Sequence, residues 1–207
     1  MSRDLDADPG AAIELCLAAH ARLLVAVADL TDAQGGSPSR LPGWTIGHVL
    51  THLARNANGH VRRLEGALRG ENVPRYQPGQ RDADITAGAG RPAGEVVSDL
   101  QAAQGSLEAV WERSVAAGWP DRQLLGNDHW ETTSSPVQRL REVEIHHVDL
   151  GLGYEPSDWP EEYVTWELPM VLATVPERVR RPEDARNLVA WVTGRAPLPS
   201  GVALSPW

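Results

Sequence analysis

The chain has 207 residues, a net charge of −9 and a single cysteine, Cys16. That length suffices for one solid core, or one main domain with a small appendage. The acidic balance, with no basic cluster beyond Arg62-Arg63 and Arg178, Arg180 and Arg181, argues against nucleic acid as a partner, and a lone thiol excludes an internal disulfide framework and suits a reducing cytoplasm.

The opening Met1-Ser2-Arg3-Asp4-Leu5-Asp6 is too polar and acidic for a signal peptide. No apolar run approaches the roughly 20 residues that span a bilayer, so the expectation is a soluble cytoplasmic protein with no membrane partner. Apolar residues at Ile13, Leu17, Leu24, Val27 and Leu30 predict an amphipathic helix from Ala11 to Leu30, ended by Gly35-Gly36-Ser37-Pro38. Cys16 lies inside it with no flanking basic residue, the setting of a buried inert thiol rather than a nucleophile. A second helix is expected from an N-cap at Thr45 to Leu68, stopping at Gly70. Residues 71–92 are broken by Pro74, Pro78, Gly79, Gly88 and Gly90, with a short helix near Asp82–Ile85.

A third helix, Ala93 to Ala116, has Val96, Leu100, Leu107 and Val110 in register and closes at Gly118-Trp119-Pro120. Residues 121–134 read as loop or short strand, and Ser135-Pro136 opens a fourth helix. Four alternating helices with long connections predict a four-helix bundle, in which functional sites are built from side chains on facing helices. After Gly151-Leu152-Gly153 proline becomes frequent. Glu161–Thr174 and Glu183–Val192 each suit a helix, the first interrupted at Pro169, and residues 198–207 read as an irregular tail. The expected division is a bundle over 1–153 and a small α+β or irregular domain over 154–207.

The chemistry concentrates in the fourth helix, in Arg139-Leu140-Arg141-Glu142-Val143-Glu144-Ile145-His146-His147-Val148-Asp149-Leu150. At about 100° per residue, Glu142 and His146 lie about 40° apart on one face, and Asp149 lies about 20° to the other side of Glu142. A Glu/His pair one turn apart is a two-ligand unit for a divalent metal, and a third ligand must come from elsewhere. The second helix offers His48, His52 and Asn56 on one face. His52 is the better donor, two turns inside the helix beside Leu53, whereas His48 sits nearer water in the first turn. His48 and His52 enclose no glutamate, which argues against a zincin protease. A His/Glu/His set leaves a coordination position open, as catalytic zinc sites do. His20, His60 and His129 have no partner in the pattern and read as surface or core residues.

Several of these stretches together resemble the mycothiol-dependent maleylpyruvate isomerase family, within the DinB-like superfamily of metal-binding helical bundles. They are Leu41-Pro42-Gly43-Trp44-Thr45 followed by His52 and Asn56; Gly70-Glu71; the Pro78, Arg81-Asp82 and Ile85 segment; and Arg141-Glu142-Val143-Glu144-Ile145-His146-His147-Val148-Asp149-Leu150-Gly151. The likeness covers residues 11 to 154 well and the remainder weakly, the C-terminal part being shorter than the family's usual second domain. It implies a mainly α protein: a DinB-like bundle holding one divalent ion, usually zinc, through His52, Glu142 and His146, with the C-terminal domain closing over the site. It further implies mycothiol as thiol cofactor, a small dicarboxylate substrate, and isomerisation of maleylpyruvate to fumarylpyruvate in gentisate degradation.

In that reading Arg195 binds substrate, Arg81 is a second carboxylate-binding candidate, and Asn56 and Asp149 orient a ligand or the thiol. Trp44 and Trp191 read as packing residues. The alternatives are a mycothiol S-transferase acting on another electrophile, or a non-catalytic zinc-binding regulatory bundle. Monomer and homodimer are equally compatible with the sequence.

Overall fold

The computed structural model describes residues 4–120, 123–125 and 128–197, without the side chains of residues 123–125 and 128–129. Two compact units divide the chain, Met1–Tyr163 and Val164–Trp207. The boundary falls ten residues beyond the expected one. Residues 154–163 belong with the first unit: the Tyr154 hydroxyl donates to Glu144 Oε2 (2.5 Å) and Trp159 Nε1 donates to the Glu144 carbonyl (3.2 Å).

The first unit is built on four long helices: α1 (Pro9–Val27), α3 (Ile46–Leu68), α5 (Ala93–Ala116) and α6 (Ser135–Asp149). Around the bundle, α1 packs on α6, α6 on α3, α3 on α5 and α5 back on α1. Two short helices, α2 (Asp32–Gly35) and α4 (Gln80–Gly88), lie in the connections, and β1 (Gln123–Leu125) pairs antiparallel with β2 (Asp128–Trp130). The core is leucine-rich, with Leu23, Leu50, Leu53, Leu64, Leu100, Leu107 and Leu140 fully buried around Trp111. Each such side chain contributes about 1.5–3 kcal/mol of burial.

Helix α1 starts before the expected Ala11 because Asp8 caps it, its Oδ1 accepting from the Ala11 amide (2.9 Å), with Pro9 in the first position. Contrary to the sequence expectation, α1 is long and apolar enough by length and composition to cross a membrane. Alanine fills much of it and its charges are few. Its Ala12, Cys16, Ala19, Leu23 and Val27 face is buried in the bundle.

The second unit takes most of α7 (Glu161–Arg178) and all of α8 (Pro182–Val192). Among the described residues it is helical, where the sequence suggested α+β or irregular structure. Helix α7 continues through Pro169 instead of stopping there. Pro169 lacks the amide that would bond the Thr165 carbonyl, but both residues are exposed, which leaves that carbonyl open to solvent. The tail, 198–207, lies outside the described residues.

Inside the bundle sits Arg139, fully buried. Its Nε donates to His20 Nε2 (3.1 Å) and its Nη1 donates to the Leu53 carbonyl (2.8 Å) and Asn56 Oδ1 (3.1 Å). His20 Nδ1 therefore carries the ring proton and donates to Glu108 Oε1 (2.8 Å). Burial, helped by the charge of Arg139, pulls the His20 pKa down to about 4 against the opposing Glu108 hydrogen bond, and burial with the charges of Arg75 and Arg139 pulls His60 well below its usual range.

Both histidines are neutral when folded and accept a proton readily once unfolded. The unfolded state thus binds more protons between pH 6.5 and about 4, and stability rises with pH across that window. Through His20 and His60, urea midpoints should drop on acidification below pH 6.5, with His20 alone accounting for about 2 kcal/mol by pH 5. A flat profile between pH 7 and 5 would show that these rings are not held neutral.

Candidate metal centre

The site begins with the loop before α3. Gly43 takes a left-handed conformation (φ 79°) and Thr45 closes a capping box: its Oγ1 accepts from the His48 amide (3.3 Å), while its own amide donates to His48 Nδ1 (3.2 Å). His48 is thereby committed to the cap. That fixes the start of α3 so that His52, one turn further in, faces the bundle. The same loop is tied to the far helix, since the Arg40 amide donates to the Asp149 carbonyl at the end of α6 (2.8 Å).

Helices α3 and α6 then run antiparallel with polar rungs at successive turns. His52 Nε2 meets Glu142 Oε2 (2.9 Å), Asn56 Oδ1 accepts from Arg139 Nη1 (3.1 Å), and His60 Nδ1 pairs with Ser135 Oγ (2.9 Å). The first rung is completed by His146, whose Nε2 lies 3.6 Å from Glu142 Oε2. The two imidazoles meet edge to face, with ring centres 4.7 Å apart. Ligand atoms of His52, Glu142 and His146 all lie within 4.8 Å of one another, the one such His/Cys/Asp/Glu group of three or more among the described residues.

The outer nitrogens of both rings are occupied. His146 Nδ1 pairs with Asp149 Oδ2 (2.8 Å), and Arg81 Nη2 approaches His52 Nδ1 (3.3 Å). Trp44 lies edge-on to His52, 5.7 Å between centres, so it walls the site rather than packing only against its own loop.

Charge follows geometry. Burial alone raises the pKa of Glu142, but hydrogen bonds from His146 and His52 and their charges overcome it and hold the carboxyl far below its usual range. Burial works against protonated His146, yet the hydrogen bonds to Asp149 and Glu142 prevail and lift it to about 9. Burial pushes His52 down. An anionic glutamate between a neutral and a cationic imidazole is a place built for positive charge, and a divalent ion can replace the His146 proton there.

The adjacent residues Glu144 and His147 turn the other way. Glu144 is buried against α1, accepting from Arg22 Nη2 (2.5 Å), and the His147 ring stacks on Tyr154 at 3.9 Å. Asn56 is buried one turn from His52, and Asp149 is partly buried beside His146. Arg81 is half-exposed and also pairs with Asp82 (2.8 Å). Arg195 lies in the second unit, exposed, its Nη1 turned onto the Thr193 carbonyl. Cys16 is buried, and desolvation drives its thiol well above the usual range, so it is inert. The side chain of His129 lies outside the described residues. Arg139, Arg75 and Tyr76 were not singled out from the sequence. Only Arg139 left a signal there, in its i, i+3 spacing to Glu142.

A four-helix bundle that gathers a His–Glu–His cluster between two facing helices defines the class. The family model described as the mycothiol maleylpyruvate isomerase N-terminal domain matches residues 16–151, and the chain belongs to that family. Among solved structures, the crystal structure of the mycothiol-dependent maleylpyruvate isomerase superposes with a TM-score of 0.71 at 24% identity, covering 76% of this chain and 67% of that one. A histidine-to-alanine mutant of a mycothiol-dependent maleylpyruvate isomerase matches with the same values. At that identity the likeness is one of fold. No curated protein matches the chain.

Zinc titration should find about one ion per chain. His52→Ala and His146→Ala should abolish most of that binding, whereas His147→Ala, whose ring faces Tyr154, should retain it. Asp149→Asn, which removes the carboxylate behind His146, should weaken zinc affinity about 10- to 100-fold. Full occupancy in His146→Ala together with loss in His147→Ala would refute the assigned register.

Proposed function

We propose that the protein is a metal- and mycothiol-dependent cis–trans isomerase that converts maleylpyruvate to fumarylpyruvate, as in gentisate degradation. The observation that carries this reading is the His52–Glu142–His146 cluster, inside the span of the family match. Two imidazoles and one carboxylate suit zinc and leave a fourth tetrahedral position for a thiol. The fit is supported by the second-layer contacts as well. Glu142 Oε2 faces both imidazoles, and Asp149 holds the outer nitrogen of His146.

When bound, the metal supplies the acidity that makes a thiolate of a thiol with pKa near 8.5, so that it adds to the cis double bond and departs after rotation about the resulting single bond. The residues of the chain provide the rest. His52 and His146 present Nε2, and Asp149 keeps the His146 proton on Nδ1. With the His52 Nε2 lone pair engaged, the one N–H of that ring sits on Nδ1, which then no longer accepts from Arg81. The Arg81 guanidinium is released toward the substrate, where its planar fork suits a carboxylate. Asn56 has its Oδ1 taken by Arg139, so what it offers thiol or substrate is its amide donor. Trp44 keeps water from the His52 side. Arg195 is a second candidate for that carboxylate, as the family resemblance implies. Mycothiol as cofactor places the protein in the cytoplasm, where such thiols are kept reduced.

Zinc-loaded protein with mycothiol should convert maleylpyruvate to its trans isomer, with the vinyl proton coupling in the NMR spectrum reporting the geometry. Cys16→Ser should work equally well. Arg195→Lys should lower kcat/KM about 30- to 150-fold with zinc content unchanged. A stable thioether in place of the trans product would identify a transferase, and no reaction with zinc and thiol both bound would refute the assignment.

A further inference from the structure

Beyond the ligand layer, the α3–α6 interface holds more positive charge than its neighbours balance. Arg139 is fully buried, and its hydrogen-bond partners are His20, the Leu53 carbonyl and Asn56, none of them a carboxylate. Arg75, from the loop between α3 and α4, donates from Nη2 to Gln138 Oε1 (3.2 Å), again a neutral acceptor. Buried guanidinium groups ordinarily find an anion, because desolvating an unpaired charge is costly.

Besides His60 Nε2, three donors in this region are shielded from water and have no hydrogen-bond partner among the described residues: Arg75 Nε, the Tyr76 hydroxyl and Arg139 Nη2. Two of them converge on one spot. A Cβ on Gly59 of α3 would overlap Arg75 Cγ and lie 3.1 Å from Arg75 Cδ and 3.4 Å from Tyr76 Cζ. Cδ carries Nε and Cζ carries the hydroxyl, so both unpaired donors stand one bond away from the same bare stretch of helix. Glycine at 59 is what lets the two side chains settle there.

The position relative to the ligands is set by the helices. Gln138, which holds Arg75, lies one turn before Glu142 on α6, roughly 6 Å along the axis, and Gly59 lies seven residues beyond His52 on α3, roughly 10 Å. That separation is of the order of the length of a short dicarboxylate. The charges of Arg75, Glu142, Arg81 and Arg139 all bear on the Tyr76 hydroxyl, although burial is the largest influence on it and keeps it protonated as a donor. With Glu142 neutralised by a cation, the net local charge is positive.

Building on the isomerase reading, we propose that Arg75 and Tyr76, seated over Gly59, form an anion subsite that receives one carboxylate of the substrate while the reacting double bond lies at the His52–Glu142–His146 cluster. Arg75 supplies Nε–H and Tyr76 its hydroxyl, and the buried charge of Arg139 behind them favours the anion. No bond is made or broken at this subsite; it fixes the substrate end to end.

The role gives opposite signs for binding and for stability. Tyr76→Phe removes a donor without a partner among the described residues; Arg75→Met removes the likewise unpaired Nε together with the Nη2 bond to Gln138 Oε1, which keeps its second donor, Trp130 Nε1 (3.2 Å). Thermal midpoints should therefore stay level or rise. Maleate serves as a probe by calorimetry on zinc-loaded protein without thiol. Its affinity should fall at least tenfold in Arg75→Met and about three- to tenfold in Tyr76→Phe. Affinities within twofold of the parent in both variants, or no maleate binding by the parent at millimolar concentration, overturn the subsite. Weakened maleate binding in the variants, with no turnover of maleylpyruvate by the parent, keeps the subsite and sinks the isomerase reading. Unchanged kcat/KM for maleylpyruvate in Arg75→Met does the reverse.

Discussion

Two antiparallel helices joined by polar rungs set the terms for everything else in this protein. Along α3 and α6, His52 faces Glu142, Asn56 faces Arg139 and His60 faces Ser135. A one-residue slip of either helix would turn each partner about 100° away and leave several buried polar groups unpaired at once. The register is therefore strongly specified. The leucine core around it supplies stability but would tolerate repacking, whereas the rungs accept one alignment. The chain tightens this alignment from outside, through the Thr45 capping box at the start of α3 and the Arg40 amide on the Asp149 carbonyl at the end of α6.

That constraint holds the cluster's ion pairs in place. Glu142 is shared by two imidazoles, and Asp149 supports one of them from behind. One turn along α6 the balance reverses: among the described residues, the hydrogen-bond acceptors of Arg139 and Arg75 are neutral. The interface is thus graded, from a carboxylate between two imidazoles to guanidinium groups on neutral acceptors.

Much of this was legible in the sequence because it is carried by helical spacing. The i, i+4 pair Glu142 and His146, and His52 with Asn56 one turn on, follow from periodicity alone, and the structure gathers His52, Glu142 and His146 while His147 stacks on Tyr154. What periodicity did not show are contacts delivered by irregular chain. Arg75 and Tyr76 come from a proline-bearing loop, and their approach depends on a missing Cβ at Gly59, a signal with no spacing rule. Helix limits moved for equally local reasons. Asp8 and Pro9 extend α1 at its start, and α7 passes Pro169 because the carbonyl it frees is at an exposed position. Arg195 was reached through family likeness rather than spacing, and it belongs to the other compact unit.

The central claim is that His52, Glu142 and His146 hold a metal whose remaining position takes the thiol. Zinc K-edge absorption on the loaded protein reads that shell directly. Without thiol it should fit only nitrogen and oxygen neighbours at about 2.0–2.2 Å, and mycothiol should add one sulfur at about 2.3 Å. A sulfur neighbour before any thiol is added, or an unchanged spectrum at saturating mycothiol, would contradict the account.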